Sequence, residues 1–114
     1  KAEGNYQKAL DYIKWAIELD IFSSYSVRSN LTGYANFFVK NCSDKAILKQ
    51  YAAMMEADEV TIPADKRNDE FLLYKALSAI YTKIGDKKKT AYYGEIATKG
   101  EEIIKEKYKE FLNK

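Results

Sequence analysis

The chain has 114 residues, with 19 Lys+Arg against 17 Asp+Glu, a net charge of +2 and no histidine. Without His there is no Ser-His-Asp triad, no imidazole acid or base and no His-ligated metal, and the single cysteine, Cys42, excludes an internal disulfide or a multi-cysteine zinc cluster. So balanced a charge gives no general drive toward nucleic acid or an anionic membrane, and runs such as Phe37-Phe38-Val39 and Phe71-Leu72-Leu73 fall far short of the ~18 apolar residues of a membrane span.

Helical spacing dominates the chain. Tyr6, Ala9, Leu10, Ile13, Ala16 and Ile17 recur at steps of three and four, and Leu31, Tyr34, Ala35 and Phe38 repeat the pattern. A third stripe reads Ala46, Ile47, Ala53 and Met54 after Ser43-Asp44, an N-cap followed by a first-turn acid. The fourth, Phe71, Tyr74, Leu77, Ser78 and Tyr81, is closed by Gly85, and the fifth holds Tyr92, Tyr93, Ile96 and Ala97. A tail from Glu101 aligns Ile103, Ile104, Tyr108, Phe111 and Leu112 opposite its lysines and glutamates. Breaks are predicted at 20–26, 40–44, 58–68 and 85–88, with Thr61-Ile62-Pro63 starting a turn or a helix. One proline and five glycines supply too few turn signals for an all-β fold, so the fold class is all-α: five to six helices, each antiparallel to its sequence neighbour.

A repeat is visible within this pattern. Gly4-Asn5-Tyr6-Gln7-Lys8-Ala9 aligns with Gly85-Asp86-Lys87-Lys88-Lys89-Thr90, and each is followed seven residues on by a small residue, Ala16 or Ala97. Asn41-Cys42-Ser43-Asp44-Lys45-Ala46 lies between them, with Ala53 seven on. Small residues at a fixed place in a hairpin let two helix backbones approach closely. The pattern resembles the tetratricopeptide repeat, a helix-turn-helix unit of about 34 residues. The segment 4–20 matches that family's turn and second helix, and Tyr74, Leu77, Ser78, Tyr81 and Gly85-Asp86 match a first helix and turn. The middle unit is degenerate, Gly94 and Gln50 stand where the family wants a large side chain, and no proline closes a unit.

The resemblance implies a right-handed superhelix divided into a partial unit 1–22, a degenerate unit 23–58, an acidic loop 59–68, a last unit 69–100 and a capping helix 101–114. A first helix without its hairpin partner leaves an apolar face open, so the chain is expected to be a piece of a longer protein. The resemblance further implies a concave groove lined by the first helix of each hairpin. Carried over residue by residue, that groove presents Ser29, Thr32, Asn36 and Lys40, then Leu72, Lys75, Ala79, Thr82 and Lys83. The family's carboxylate clamp is not reproduced, since Leu72 and Ala76 occupy positions that need basic residues.

The remaining features read as structural. Lys83 with Lys87, Lys88 and Lys89 forms a basic, solvated turn, and nucleic-acid contact by this segment is not expected in the absence of interleaved aromatics. Glu56, Asp58, Glu59, Asp65, Asp69 and Glu70 lack calcium-loop order and read as a solvated linker. The ten tyrosines belong mainly to the core, Trp15 lies off its helix's main stripe, and Met54-Met55 fills space. Cys42 has no neighbouring base and is no nucleophile, and as a free thiol it points to a reducing, cytoplasmic setting. The expected function is therefore a protein- or peptide-binding scaffold, with no enzyme activity, no cofactor and no membrane contact. Two alternatives stand beside it: the peptide-sensing half of a bacterial transcription regulator, and a non-catalytic accessory or dimerisation segment of a larger protein; separately, the exposed first hairpin offers a surface for a homodimer.

Overall fold

The computed structural model describes residues 5–18 and 24–113. The chain is all-helical: α1 (Asn5–Glu18), α2 (Ser24–Asn41), α3 (Lys45–Glu59), a 3-10 segment over Ala64–Glu70, α4 (Phe71–Ile84) and α5 (Lys87–Leu112). The predicted turn at Gly4 and part of the predicted break at 20–26 lie outside the described residues.

Helix ends follow from local chemistry. The Asp44 carboxylate accepts from the Ala46 and Ile47 amides, so Asp44, and not Ser43, is the N-cap of α3. Asp86 caps α5 in the same way through the Lys89 amide. Between α4 and α5, Gly85 adopts φ 98, the left-handed conformation that a Cβ disfavours, and its amide and that of Asp86 both donate to the Tyr81 carbonyl.

The helices pack α1 on α3, α2 on α3 and α4, α3 on α4, and α4 most extensively on α5. Single hydrogen bonds fix the directions. Tyr6 at the start of α1 donates to the Asn41 carbonyl at the end of α2, and Lys83 at the end of α4 donates to the Val39 carbonyl in the last turn of α2. One end of the stack thus gathers the starts of α1, α3 and α5 with the ends of α2 and α4.

The central helix is α4, which buries Leu73, Tyr74, Ala76, Leu77, Ile80, Tyr81 and Ile84 because it meets α2, α3 and α5 together. Each of its large side chains contributes about 1.5–3 kcal/mol on burial. Around it lie Leu10, Leu31, Phe38, Leu48, Tyr51 and Met55, with the Phe38 and Tyr51 rings stacked at 4.7 Å. The Tyr51 hydroxyl donates to the Leu31 carbonyl, which keeps a buried phenol satisfied.

Three expectations need correction. The α3 stripe is displaced: Leu48, Tyr51, Ala52 and Met55 are buried while Ala46 and Ala53 are exposed, so Ala52 is the small residue at the crossing. The larger Leu48, Tyr51 and Met55 win the inward face because they bury more apolar area than alanine. Next, the helix does not break at residue 100. A single α5 runs unbroken from the last hairpin through the segment read as a capping helix, since one glycine lowers helix propensity by only about 1 kcal/mol. Every residue of its end, from Ile104 to Asn113, is exposed. Last, the stretch 59–68 is no solvated linker: Ile62 is buried, Pro63 opens the 3-10 segment, and that segment packs on α4 and α5.

Candidate functional site

The predicted groove residues separate into two sets. Ser29 and Thr32 on α2 and Leu72 on α4 come together with Arg28, Glu70 and Leu73 around a cleft of about 160 Å³ between the two helices. Asn36 and Lys40 continue the same exposed face of α2 toward the other end of the stack, outside that cleft. Ala79 is half-buried on α4. Lys75 and Thr82 turn toward α5, where Lys75 Nζ sits 3.4 Å from a Glu101 carboxylate oxygen and the Thr82 hydroxyl lies 3.4 Å from that of Thr90. Lys83 is held by the Val39 carbonyl, a cation completing the last turn of α2. Residues three and seven apart on one helix share a face, but packing of α5 decides which face stays open.

The cleft has an apolar floor and a charged rim. Leu73 is buried, Leu72 is 58% exposed, and the Thr32 hydroxyl is turned back onto the Arg28 carbonyl at 2.9 Å. On the rim, Arg28 spans the end of α3 and the start of α4: Nε meets Asp58 at 2.8 Å and Nη1 meets Glu70 at 3.0 Å. The Asp58 hydrogen bond, working against burial and with help from both negative charges, pushes the guanidinium above its ordinary, already high pKa. Arg28, Glu70 and Leu73 were not expected at the site. A signal did exist, because Arg28 is the sole charged residue between Ser24 and Val39, and a lone charge in an uncharged helix needs a partner.

The acidic residues expected to be solvated instead tie the helices together. Glu56 on α3 accepts from Tyr81 at 2.6 Å, Tyr93 at 2.5 Å and Lys89 at 3.1 Å. Burial pushes its carboxyl up, but the hydrogen bonds from Tyr81, Tyr93 and Lys89 and the charge of Lys89 outweigh that and hold it below its ordinary value. Burial, together with the hydrogen bond to Glu56 and its charge, pushes Tyr81 up to about 12. Lys89 also lies 4.9 Å from the centre of the Tyr81 ring, within cation–π range. One turn on, the buried Glu59 accepts from Tyr74 at 2.7 Å and faces Arg67 at 4.0 Å, while Arg67 Nε is buried without a hydrogen-bond partner. Asp65 and Asp69 are exposed, as expected of a solvated stretch.

The tyrosines divide accordingly. Tyr6, Tyr51, Tyr74, Tyr81 and Tyr93 are buried, whereas Tyr12, Tyr34, Tyr92 and Tyr108 are exposed. Tyr12 and Trp15 pair with ring centres 5.7 Å apart on the outer side of α1. Beside them a crevice of about 320 Å³ is lined by Ala9, Tyr12, Ile13, Tyr34, Phe37 and Phe38. Cys42 is fully buried, with Sγ 3.9 Å from the Asp44 carbonyl. Among the described residues, no group of three or more Cys, Asp or Glu side chains is arranged to hold a metal ion, and no helix is long and apolar enough to cross a membrane. Comparison of the chain with models of protein families, with curated proteins and with solved structures finds no match.

Proposed function

We propose that the chain is a tetratricopeptide-like module that holds a peptide or an extended protein segment against the open face shared by α2 and α4, and performs no chemistry of its own. The observation that carries the reading is the cleft at Ser29, Thr32 and Leu72, where hydroxyls, a charged rim and an exposed leucine converge on a surface that, among the described residues, no other helix covers. An extended segment laid there meets donors and acceptors for its backbone and an apolar seat for one side chain. The stacking of α2 on α4, with α3 and α5 each packed on α4, supports the repeat arrangement that the sequence resembles.

Selection of a random peptide display library against the protein tests this. Recovered peptides are expected to lose binding by about tenfold or more on Leu72→Arg, which fills the cleft with a cation, and to bind Tyr12→Ala unchanged. Peptides insensitive to Leu72→Arg would contradict the reading.

A second reading has an observation of its own. Tyr12 and Tyr34 line the aromatic crevice on α1 and α2, and with Trp15, paired with Tyr12 and like them more than one-third exposed, they supply a face on which a second copy could pair. Sedimentation equilibrium is expected to show association that Trp15→Glu abolishes. A concentration-independent monomer mass would remove this reading and leave the first intact.

A further inference from the structure

Four lysines from two helices meet around the α4–α5 turn. Lys49, Lys87 and Lys88 line an open depression with Ile84, Gly85 and Asp86, and Lys45 Nζ lies 3.8 Å from where a Cβ on Gly85 would stand. All four lysines are exposed, and among the described residues none of them is in an ion pair. The nearby carboxylates of Asp44 and Asp86 are already engaged as helix caps.

Folding does not account for this placement. Lys45, Lys87 and Lys88 stand in the first turns of α3 and α5, where the helix dipole favours anions, and neither first turn holds an acid. Lys45 and Lys49 are also like charges four apart on one helix face, an arrangement that repels. By contrast, the lysines in the last turns of α2 and α4, Lys40 and Lys83, sit where the dipole welcomes them. A chain of net charge +2 therefore concentrates unpaired cations at one edge, against the preference of two helices. Local violations of this kind are expected at functional surfaces.

We infer that this edge is a docking surface for a short acidic polypeptide segment. Lys49, Lys87 and Lys88 line a shallow depression together with Ile84 and the capping Asp86, with Lys45 close by at Gly85, a setting that suits carboxylates carried on methylene stems. Among the described residues no aromatic side chain lines the depression, so a nucleobase has nothing there to stack on. At the other end of the stack Asp58, Glu59, Asp65, Asp69 and Glu70 outnumber Arg28, Lys66 and Arg67, which limits a favourable anionic track to one short edge. The inference does not rest on the α2–α4 cleft, whose residues are different.

Fluorescence anisotropy of a labelled short oligoglutamate peptide tests it. Binding is expected at low salt and weakens between about 50 and 200 mM. The double variant Lys49→Glu, Lys88→Glu is expected to lose about tenfold or more in affinity, while Lys105→Glu, Lys107→Glu, the same charge change on the exposed end of α5, binds as the parent. Because Glu suits the first turn of α5, the Lys49, Lys88 variant is expected to melt no lower than the parent, and a lowered Tm accompanying lost binding would make the lysines structural and overturn the assignment. Equal losses in both double variants, or no binding by the parent at low salt, would also overturn it. So would full displacement by inorganic phosphate at constant ionic strength, or tighter binding of a short oligothymidine with the same lysine dependence.

Discussion

Replacing Gly100 by alanine is expected to destabilise the protein, although alanine is the better helix former. Gly100 lies within α5 and is buried, and a Cβ there would stand 2.4 Å from the Asn68 carbonyl oxygen and 2.6 Å from the Phe71 Cβ. Both obstacles are fixed parts of the 3-10 segment and the start of α4, so neither can turn aside as a flexible side chain would. Helix propensity favours the alanine by about 1 kcal/mol, and forcing atoms into a closed contact costs about 1–3 kcal/mol or more, because the 3-10 segment must be lifted off α5. The net expectation is a loss of about 1 kcal/mol or more and a fall in Tm of several degrees, measured by thermal melting. Gly33 is the control. It lies on the exposed face of α2 with nothing within 4 Å of its Cβ position, so Gly33→Ala is expected to stabilise by about 1 kcal/mol. If both substitutions stabilise, Gly100 is not the contact point described here.

The second large effect is expected at Glu56. Its carboxylate joins α3 to α4 through Tyr81 and to α5 through Tyr93 and Lys89. Truncation to alanine leaves two largely buried phenol hydroxyls without an acceptor and removes the partner of Lys89. At about 1.5 kcal/mol for each hydrogen bond to a charged acceptor, the loss is about 3 kcal/mol, or roughly 10 °C in Tm. Glu56→Gln keeps an acceptor oxygen but not the charge and is expected to fall between. The pH dependence has a definite sign. The carboxyl titrates below its ordinary value in the folded protein, so its contribution is complete above the unfolded value and disappears as pH falls through the folded one. The stability gap between the parent and Glu56→Gln is therefore expected to be constant near neutrality and to narrow in acid. A gap unchanged down to strongly acidic pH would show that the charge of Glu56 plays no part.

These two residues also show how far the sequence could be read. The all-helical class was legible because its apolar residues recur at steps of three and four, and the breaks at 40–44 and 85–88 carry capping aspartates and a glycine whose chemistry is local. Gly100 was legible as a glycine but not as a contact. Its meaning depends on Asn68 and Phe71, some thirty residues earlier, and a glycine in a helical pattern reads equally as an end or as a close approach. The acidic stretch misled for a related reason. Glu56, Asp58 and Glu59 look solvated in a charged run, and their engagement by Tyr81, Arg28 and Tyr74 is set by tertiary packing alone. Within the site, Ser29, Thr32 and Leu72 converge because α2 packs against α4. Lys75 and Thr82 occupy positions equally polar in sequence, yet α5 claims that face. The basic cluster was half visible: Lys87 and Lys88 adjoin a turn, but Lys45 and Lys49 reach it from a different helix.

A partner is expected to lie on the open face of α2 and α4. Two-dimensional NMR of the labelled protein, titrated with a peptide recovered from the display selection, tests it most directly. Shifts are expected to concentrate at Ser29, Thr32, Leu72 and Leu73, with Tyr12, Trp15 and Tyr34 unmoved. Shifts centred on the α1–α2 aromatic crevice, with the cleft silent, would contradict it.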